Sequence, residues 1–323
     1  MLWLFATAMI GLVILALAGD ALVKGAVALS LRVGVPALII SLTIVAFGTS
    51  APELMISISA VLEGSGSLAM GNIVGSNTAN VLLVVGIPAL LVPLKCSPCD
   101  TKKSYFFMLL ATVVFISFAF AGVFSWPSGI LLLALLVYIL RETLRDAIRS
   151  HKTHDDPKAM ITAQSLKPAA ADSELKPNWQ IVFLLALGLI GLPLGGHTLV
   201  ESATKIAQHF GISDAVIGLT LVALGTSLPE LATAVMAALR QQADVVLGNI
   251  IGSNMFNLLA IMGLTSLIGP VPVATDFLRF DLWVMLSASL LLAPLALFRW
   301  EVSRLYGLGL TASYLTYVSL VLS

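Results

Sequence analysis

Glu53 and Glu230 are the only acidic residues placed deep inside long apolar stretches of this chain. A charge at the centre of a membrane helix costs on the order of 2.5–3.5 kcal/mol. No Lys or Arg lies deep in any of those stretches, so the implied partner is a mobile cation or a proton. Pro52 and Pro229 directly precede the two glutamates. A proline donates no backbone hydrogen bond, which leaves the carbonyl four residues earlier without its helical partner. Those carbonyls belong to Gly48 and Gly225, and at membrane depth a free carbonyl needs a cavity or a ligand. Thr49 and Ser50 stand four and three residues before Glu53, a spacing that puts them on its helix face. Thr226 and Ser227 stand in the same relation to Glu230. Each block therefore offers a carboxylate, two hydroxyls and loosened carbonyls. Hard cations such as Ca²⁺ take about six to eight oxygens at roughly 2.3–2.6 Å.

The two blocks are copies of one another. Leu42–Gly86 matches Leu219–Gly263 at a constant offset of 177, with 21 identities in 45 positions. The matches include Thr, Ser, Pro, Glu and Asn, not only the Leu and Ala that any two apolar helices share. Downstream of each glutamate, Asn72, Ser76 and Asn80 fall four apart on one helical stripe, as do Asn249, Ser253 and Asn257. Ser76, Asn80, Ser253 and Asn257 lie further into the span and are read as ion contacts. For Asn72 and Asn249, ion contact and bonding between helices fit equally well. The glycines at 71, 75, 248 and 252 are read as room for close helix packing.

These residues need a membrane frame, and the composition supplies one. The chain has 323 residues, 59% hydrophobic and 11% charged, with mean hydropathy +1.02. A soluble domain carries about 25% charged residues, so a soluble enzyme, a disordered chain and a nucleic-acid binder are excluded. Two cysteines set up no disulfide framework. A helix of about 20 apolar residues crosses a bilayer. Apolar stretches near 2–19, 36–62, 68–93, 104–124, 127–141, 179–198, 213–239, 245–268, 280–298 and 303–322 predict ten spans. The predicted fold is all-α and polytopic, with ten transmembrane helices in two inverted five-helix repeats. Residues 1–142 form the first (repeat block about 33–93) and 178–323 the second (repeat block about 210–268), joined by a hydrophilic cytoplasmic linker at 143–177. With the N-terminus outside, 15 of the 17 basic residues fall on the cytoplasmic side, all but Lys205 and Arg279, as the positive-inside rule requires. Both termini are then periplasmic. Five spans per copy make the second copy enter from the opposite side, the inverted repeat of secondary transporters. Two mirrored halves supply states open to either side.

The Gly-Thr-Ser-x-Pro-Glu and Gly-Ser-Asn-x-x-Asn blocks resemble the two α-repeats of the cation/calcium exchanger superfamily, in particular its bacterial and archaeal sodium/calcium exchanger branch. The resemblance extends over nearly the whole chain. It implies an antiporter that extrudes Ca²⁺ against Na⁺ entry by alternating access, in the inner membrane, with Ca²⁺, Na⁺ and the lipid bilayer as partners. No cofactor, nucleic acid or obligate protein partner is implied. Carried over by motif, Glu53 and Glu230 are the shared Ca²⁺ ligands. Thr49, Ser50, Thr226, Ser227, Ser76, Ser253, Asn80 and Asn257 contribute to the Ca²⁺ or Na⁺ sites, with carbonyls from Ala46 and Ala223. Asn257 matches an aspartate of the potassium-dependent relatives, so the central site carries two negative charges at most and potassium dependence is left open. Spans one and six, where the copies agree least and Gly191, Gly195 and Gly196 cluster, are the expected moving part.

Two other functions fit the same residues. Paired glutamates can carry protons, which gives a Ca²⁺/H⁺ antiporter, and a cation channel is the alternative of another class. Neither a zinc-protease His-Glu-x-x-His nor a Walker-type loop occurs, so an enzyme or ATP-driven pump lacks support. Cys96 and Cys99 have redox spacing without a redox fold, and His151 and His154 read as solvated loop residues.

Overall fold

The computed structural model describes residues 1–94, 101–153, 176–211, 223–298 and 300–322. Cys96, Cys99, His154 and most of the expected linker lie outside the described residues. The helices are α1 (Leu2–Val33), α2 (Ala37–Thr49), α3 (Ala51–Leu62), α4 (Gly66–Leu91), α5 (Lys102–Ala119), α6 (Trp126–Thr153), α7 (Asn178–His209), α8 (Ala223–Thr226), α9 (Leu228–Leu239), α10 (Ala243–Ile268), α11 (Phe277–Phe298) and α12 (Arg304–Leu322). Among the described residues, seven helices are long and apolar enough to cross a membrane, and the bent pair α2–α3 makes an eighth. Large apolar side chains such as Leu2, Leu17, Val137 and Leu315 are exposed on the outer helices. That surface suits lipid rather than water.

Several helices run past the limits set by hydropathy, because their charges are paired along the helix. α1 was expected to end near residue 19. Instead Lys24 Nζ meets Asp20 Oδ2 at 2.7 Å one turn away, and the helix goes on to Gly34. There φ is 71° and the backbone N–H caps back onto the Ser30 carbonyl, a conformation that favours glycine. A Lys205–Glu201 pair at 2.6 Å likewise lies within the extension of α7 to His209. Arg145 and Glu142, at 2.7 Å, lie where α6 continues into the stretch read as linker.

The repeat blocks occupy the centre. The most apolar window of α10 is wholly buried and that of α4 is 83% buried, against 22% for α1 and 28% for α7. Of the four glycines read as packing positions, Gly248 and Gly252 let α10 close on α2, whereas a Cβ at Gly75 would meet nothing and one at Gly71 would make only an ordinary contact with Phe277, so those two are not required by close packing. A Cβ at Gly252 would collide with the Leu42 carbonyl, and one at Gly248 with that of Leu38. The outer pair α1 and α7 packs antiparallel by the same device. A Cβ at Gly195 would stand 2.9 Å from Leu15 N and 3.0 Å from Gly11 O. Small-residue contacts of this kind replace the hydrophobic driving force that lipid does not supply. Two short antiparallel links tie the helix ends together. Val123–Phe124 (β1) pairs with Val271–Pro272 (β2), and Leu94 bridges Val302.

Candidate functional site

Both repeats break a helix at the same place. α2 gives way to α3 at Ser50, with φ −81° and ψ 3°, and α8 gives way to α9 at Ser227, with φ −85° and ψ 3°. Pro52 and Pro229 occupy the first turn of the helix that follows, where a missing N–H costs nothing. The first break bends the helix pair by 41°. Glu53 and Glu230 therefore sit in the first turns of α3 and α9, where the helix dipole favours a carboxylate. Single π-turns flank the site, at Ser41–Val45 just before Ala46 and at Phe256–Ile261 around Asn257. Such turns are frequent at functional sites.

The two breaks are brought together across the repeat boundary. Ser50 Oγ donates to Glu230 Oε1 at 3.3 Å, and Ser253 Oγ donates to the same oxygen at 3.4 Å. Thr49 Oγ1 lies 3.4 Å from Ser253 Oγ and donates to Asn249 Oδ1 at 3.2 Å. Asn257 Nδ2 donates to Ser76 Oγ at 2.9 Å. The sequence spacing grouped Thr49 and Ser50 with Glu53 on one helix face, and here the structure corrects the expectation. The helix breaks at Ser50, so the regular i to i+3 and i+4 geometry does not carry through it, and the Ser50 hydroxyl reaches the carboxylate of the other repeat.

Every side chain named from the motifs is buried where it is described: Ala46, Thr49, Ser50, Glu53, Ser76, Asn80, Thr226, Ser227, Glu230, Ser253 and Asn257. Ala223 opens α8. Both glutamates are fully buried. No ion pair among the described residues involves either one. Among the described residues, Glu53 Oε1 and Oε2, Glu230 Oε2, Asn80 Oδ1, Asn257 Oδ1 and Ser227 Oγ have no hydrogen-bond partner. Leaving buried polar groups unpaired is costly, and a hard cation is the ligand that all-oxygen donors of this kind satisfy. Among the described residues no group of three His, Cys, Asp or Glu assembles. The donor set is two carboxylates plus neutral oxygens, a net charge that one divalent cation cancels. An apolar cavity of about 450 Å³ lies against both breaks, lined by Pro52, Met55, Gly196, His197, Thr226 and Pro229 among others.

Asn72 and Asn249, equivalent in sequence, part company in space. Asn72 Nδ2 donates to the Glu53 carbonyl at 3.1 Å and to Ser57 Oγ at 2.9 Å, bracing α3 against α4. Asn249 turns to Thr49 of the other repeat. The difference was visible in the repeat alignment, where Ser57 corresponds to Ala234, an acceptor in one copy and none in the other.

Known proteins resemble this chain over almost its whole length. A family model described as sodium/calcium exchanger protein matches residues 3–141 and 180–323. The inner membrane protein YrbG of Escherichia coli is 35% identical over 325 residues, covering 98% of this chain and 97% of its own. The sodium/calcium exchanger MaX1 of Methanosarcina acetivorans is 34% identical over 339 residues, covering 97% of each. The solved structure of the sodium-calcium exchanger NCX_Mj soaked with 2.5 mM Na⁺ and 0.1 mM Ca²⁺ superposes with a TM-score of 0.82 at 30% identity, covering 98% of both chains. The fold is thus that of a mostly helical, polytopic membrane transporter, and the chain belongs to the sodium/calcium exchanger family of cation/Ca²⁺ antiporters.

Proposed function

We propose that this protein exchanges Ca²⁺ for Na⁺ across the inner membrane by alternating access, with both ions using the site between the two helix breaks. The observation that carries this reading is the pair of fully buried glutamates, of whose four oxygens three have no hydrogen-bond partner among the described residues. Glu53 and Glu230 bind Ca²⁺ directly. Thr49, Ser50, Thr226, Ser227, Ser76, Asn80, Ser253 and Asn257, with the Ala46 and Ala223 carbonyls, complete the Ca²⁺ and Na⁺ coordination. Na⁺ and Ca²⁺ compete for overlapping oxygens. Without either ion, two uncompensated charges in low dielectric oppose the conformational crossing. Loading with either ion removes that penalty, so the result is exchange rather than leak. The outer pair α1 and α7, packed on each other through glycines and less buried than the centre, is the part that moves.

The same reading places ten spans in two inverted repeats, at residues 1–142 and 178–323, with both termini periplasmic. The short antiparallel links support it. In that topology β1 and β2 lie together on the outer side, and Leu94 and Val302 lie together on the inner side. Equilibrium ⁴⁵Ca²⁺ binding to purified protein tests the shared site. Added Na⁺ is expected to displace Ca²⁺ competitively, whereas Ca²⁺ binding indifferent to Na⁺ would overturn the reading.

A further inference from the structure

Asn249 occupies a position that the ligand set does not use. It is fully buried, its Nδ2 has no hydrogen-bond partner among the described residues, and its Oδ1 accepts from Thr49 Oγ1 at 3.2 Å. Thr49 has one hydroxyl proton and several acceptors in reach. The Ala46 carbonyl stands at 3.3 Å and Ser253 Oγ at 3.4 Å, and the Glu230 carboxylate also faces the hydroxyl. Those three groups are the ones the proposed site gives to the cation. A proton pointed at any of them would occupy an ion-binding lone pair and set a positive dipole against the ion. Asn249 is the shortest of the three measured contacts, and the acceptor that stands outside the ligand set.

We infer that Asn249 is a positioning residue for ion binding: its Oδ1 accepts the hydrogen bond of the Thr49 hydroxyl, which leaves the Thr49 oxygen lone pairs and the Ala46 carbonyl free for the ion. Its counterpart Asn72 has a different task. With Ser57 available as a second acceptor, Asn72 braces α3 to α4. Because the equivalent position is Ala234, Asn249 has no such brace to make. One residue type in two symmetric places thus does two jobs, and the pseudo-symmetric site is chemically asymmetric.

This inference rests on the proposed Ca²⁺ site, and a double-mutant cycle separates the two. ⁴⁵Ca²⁺ binding is measured for the wild type, Glu53→Gln, Thr49→Val, Asn249→Ala and the Thr49→Val/Asn249→Ala double variant. If the wild type binds Ca²⁺ and Glu53→Gln does not, the site reading stands. Thr49→Val and Asn249→Ala are each expected to weaken binding by about five- to tenfold, the value of one oriented hydrogen bond. The double variant is expected to be no weaker than either single one, because both act through the same oxygen. Effects that multiply in the double variant, or an Asn249→Ala protein that binds like the wild type, overturn the inference. Asn72→Ala serves as control: its effect on the free energy of thermal unfolding is expected to add to that of Thr49→Val. Should Asn249→Ala fail to fold, Asn249→Asp keeps the acceptor. Thr49→Val in that background must then cost at least as much as in the wild type, and a vanished cost overturns the inference.

Discussion

Glu53→Gln separates ion binding from folding. The change keeps the side chain's size and removes one charge, at a residue whose two carboxylate oxygens are fully buried and have no hydrogen-bond partner among the described residues. Water does not screen that charge. A divalent ion about 4 Å from the carboxylate centre gains roughly 8 kcal/mol at an effective dielectric of about 20, and a monovalent ion roughly half of that. The dehydration of the ion is the same for both proteins and cancels. The glutamine carbonyl dipole recovers part of the loss, which leaves about 3–4 kcal/mol for Ca²⁺, a factor of several hundred in affinity. For Na⁺ the loss is about half as large in energy, or roughly ten- to thirtyfold. Stability should move the other way. The ion-free wild type has no cation to balance its two buried carboxyl groups, so the ion-free variant is expected to unfold at the same temperature or higher. The assay is ⁴⁵Ca²⁺ binding at several Na⁺ concentrations, together with thermal unfolding in chelator. Calcium affinity within about threefold of wild type, against the loss derived above, would refute the reasoning. So would a large fall in the ion-free unfolding temperature, since that would make Glu53 a structural residue.

Further predictions follow from the packing and the topology. Ser57→Ala removes one of the two acceptors of Asn72 and makes the first repeat resemble the second. It is expected to cost about 1 kcal/mol of stability in thermal unfolding, with Ca²⁺ affinity unchanged. Gly252→Ala puts a Cβ onto the Leu42 carbonyl and 2.6 Å from Ala46 Cβ. It is expected to destabilise by about 1–3 kcal/mol, read as a lower unfolding temperature. With Cys96 and Cys99 replaced, a cysteine at Gly64 between α3 and α4 is expected to react with an impermeant maleimide in intact spheroplasts. One at Arg145 is expected to react only after lysis, and the reverse pattern would invert the topology.

The carboxylates, the hydroxyls and the break were legible because a repeated Pro-Glu in apolar sequence has few structural uses. Proline sets the break and the charge demands a partner, whatever surrounds them. The span limits were less legible. Hydropathy stops at Asp20 and Glu201, but those charges are paired one turn away by Lys24 and Lys205, so the helices continue. The pairing inside the site was illegible from spacing alone. Which carboxylate the Ser50 hydroxyl meets depends on how two separate helix breaks face one another, a tertiary fact. The split between Asn72 and Asn249 lay between these cases, since its cause, Ser57 against Ala234, is printed in the repeat alignment.

The central claim is coupling, and flux measures it most directly. Purified protein in sealed vesicles loaded with Na⁺ is diluted into Na⁺-free medium containing ⁴⁵Ca²⁺, at equal pH on both sides. The account predicts Ca²⁺ accumulation that follows the outward Na⁺ gradient, saturates with Ca²⁺ and disappears in Glu53→Gln. Uptake driven by a pH gradient and indifferent to Na⁺, or a non-saturating conductance, would contradict it.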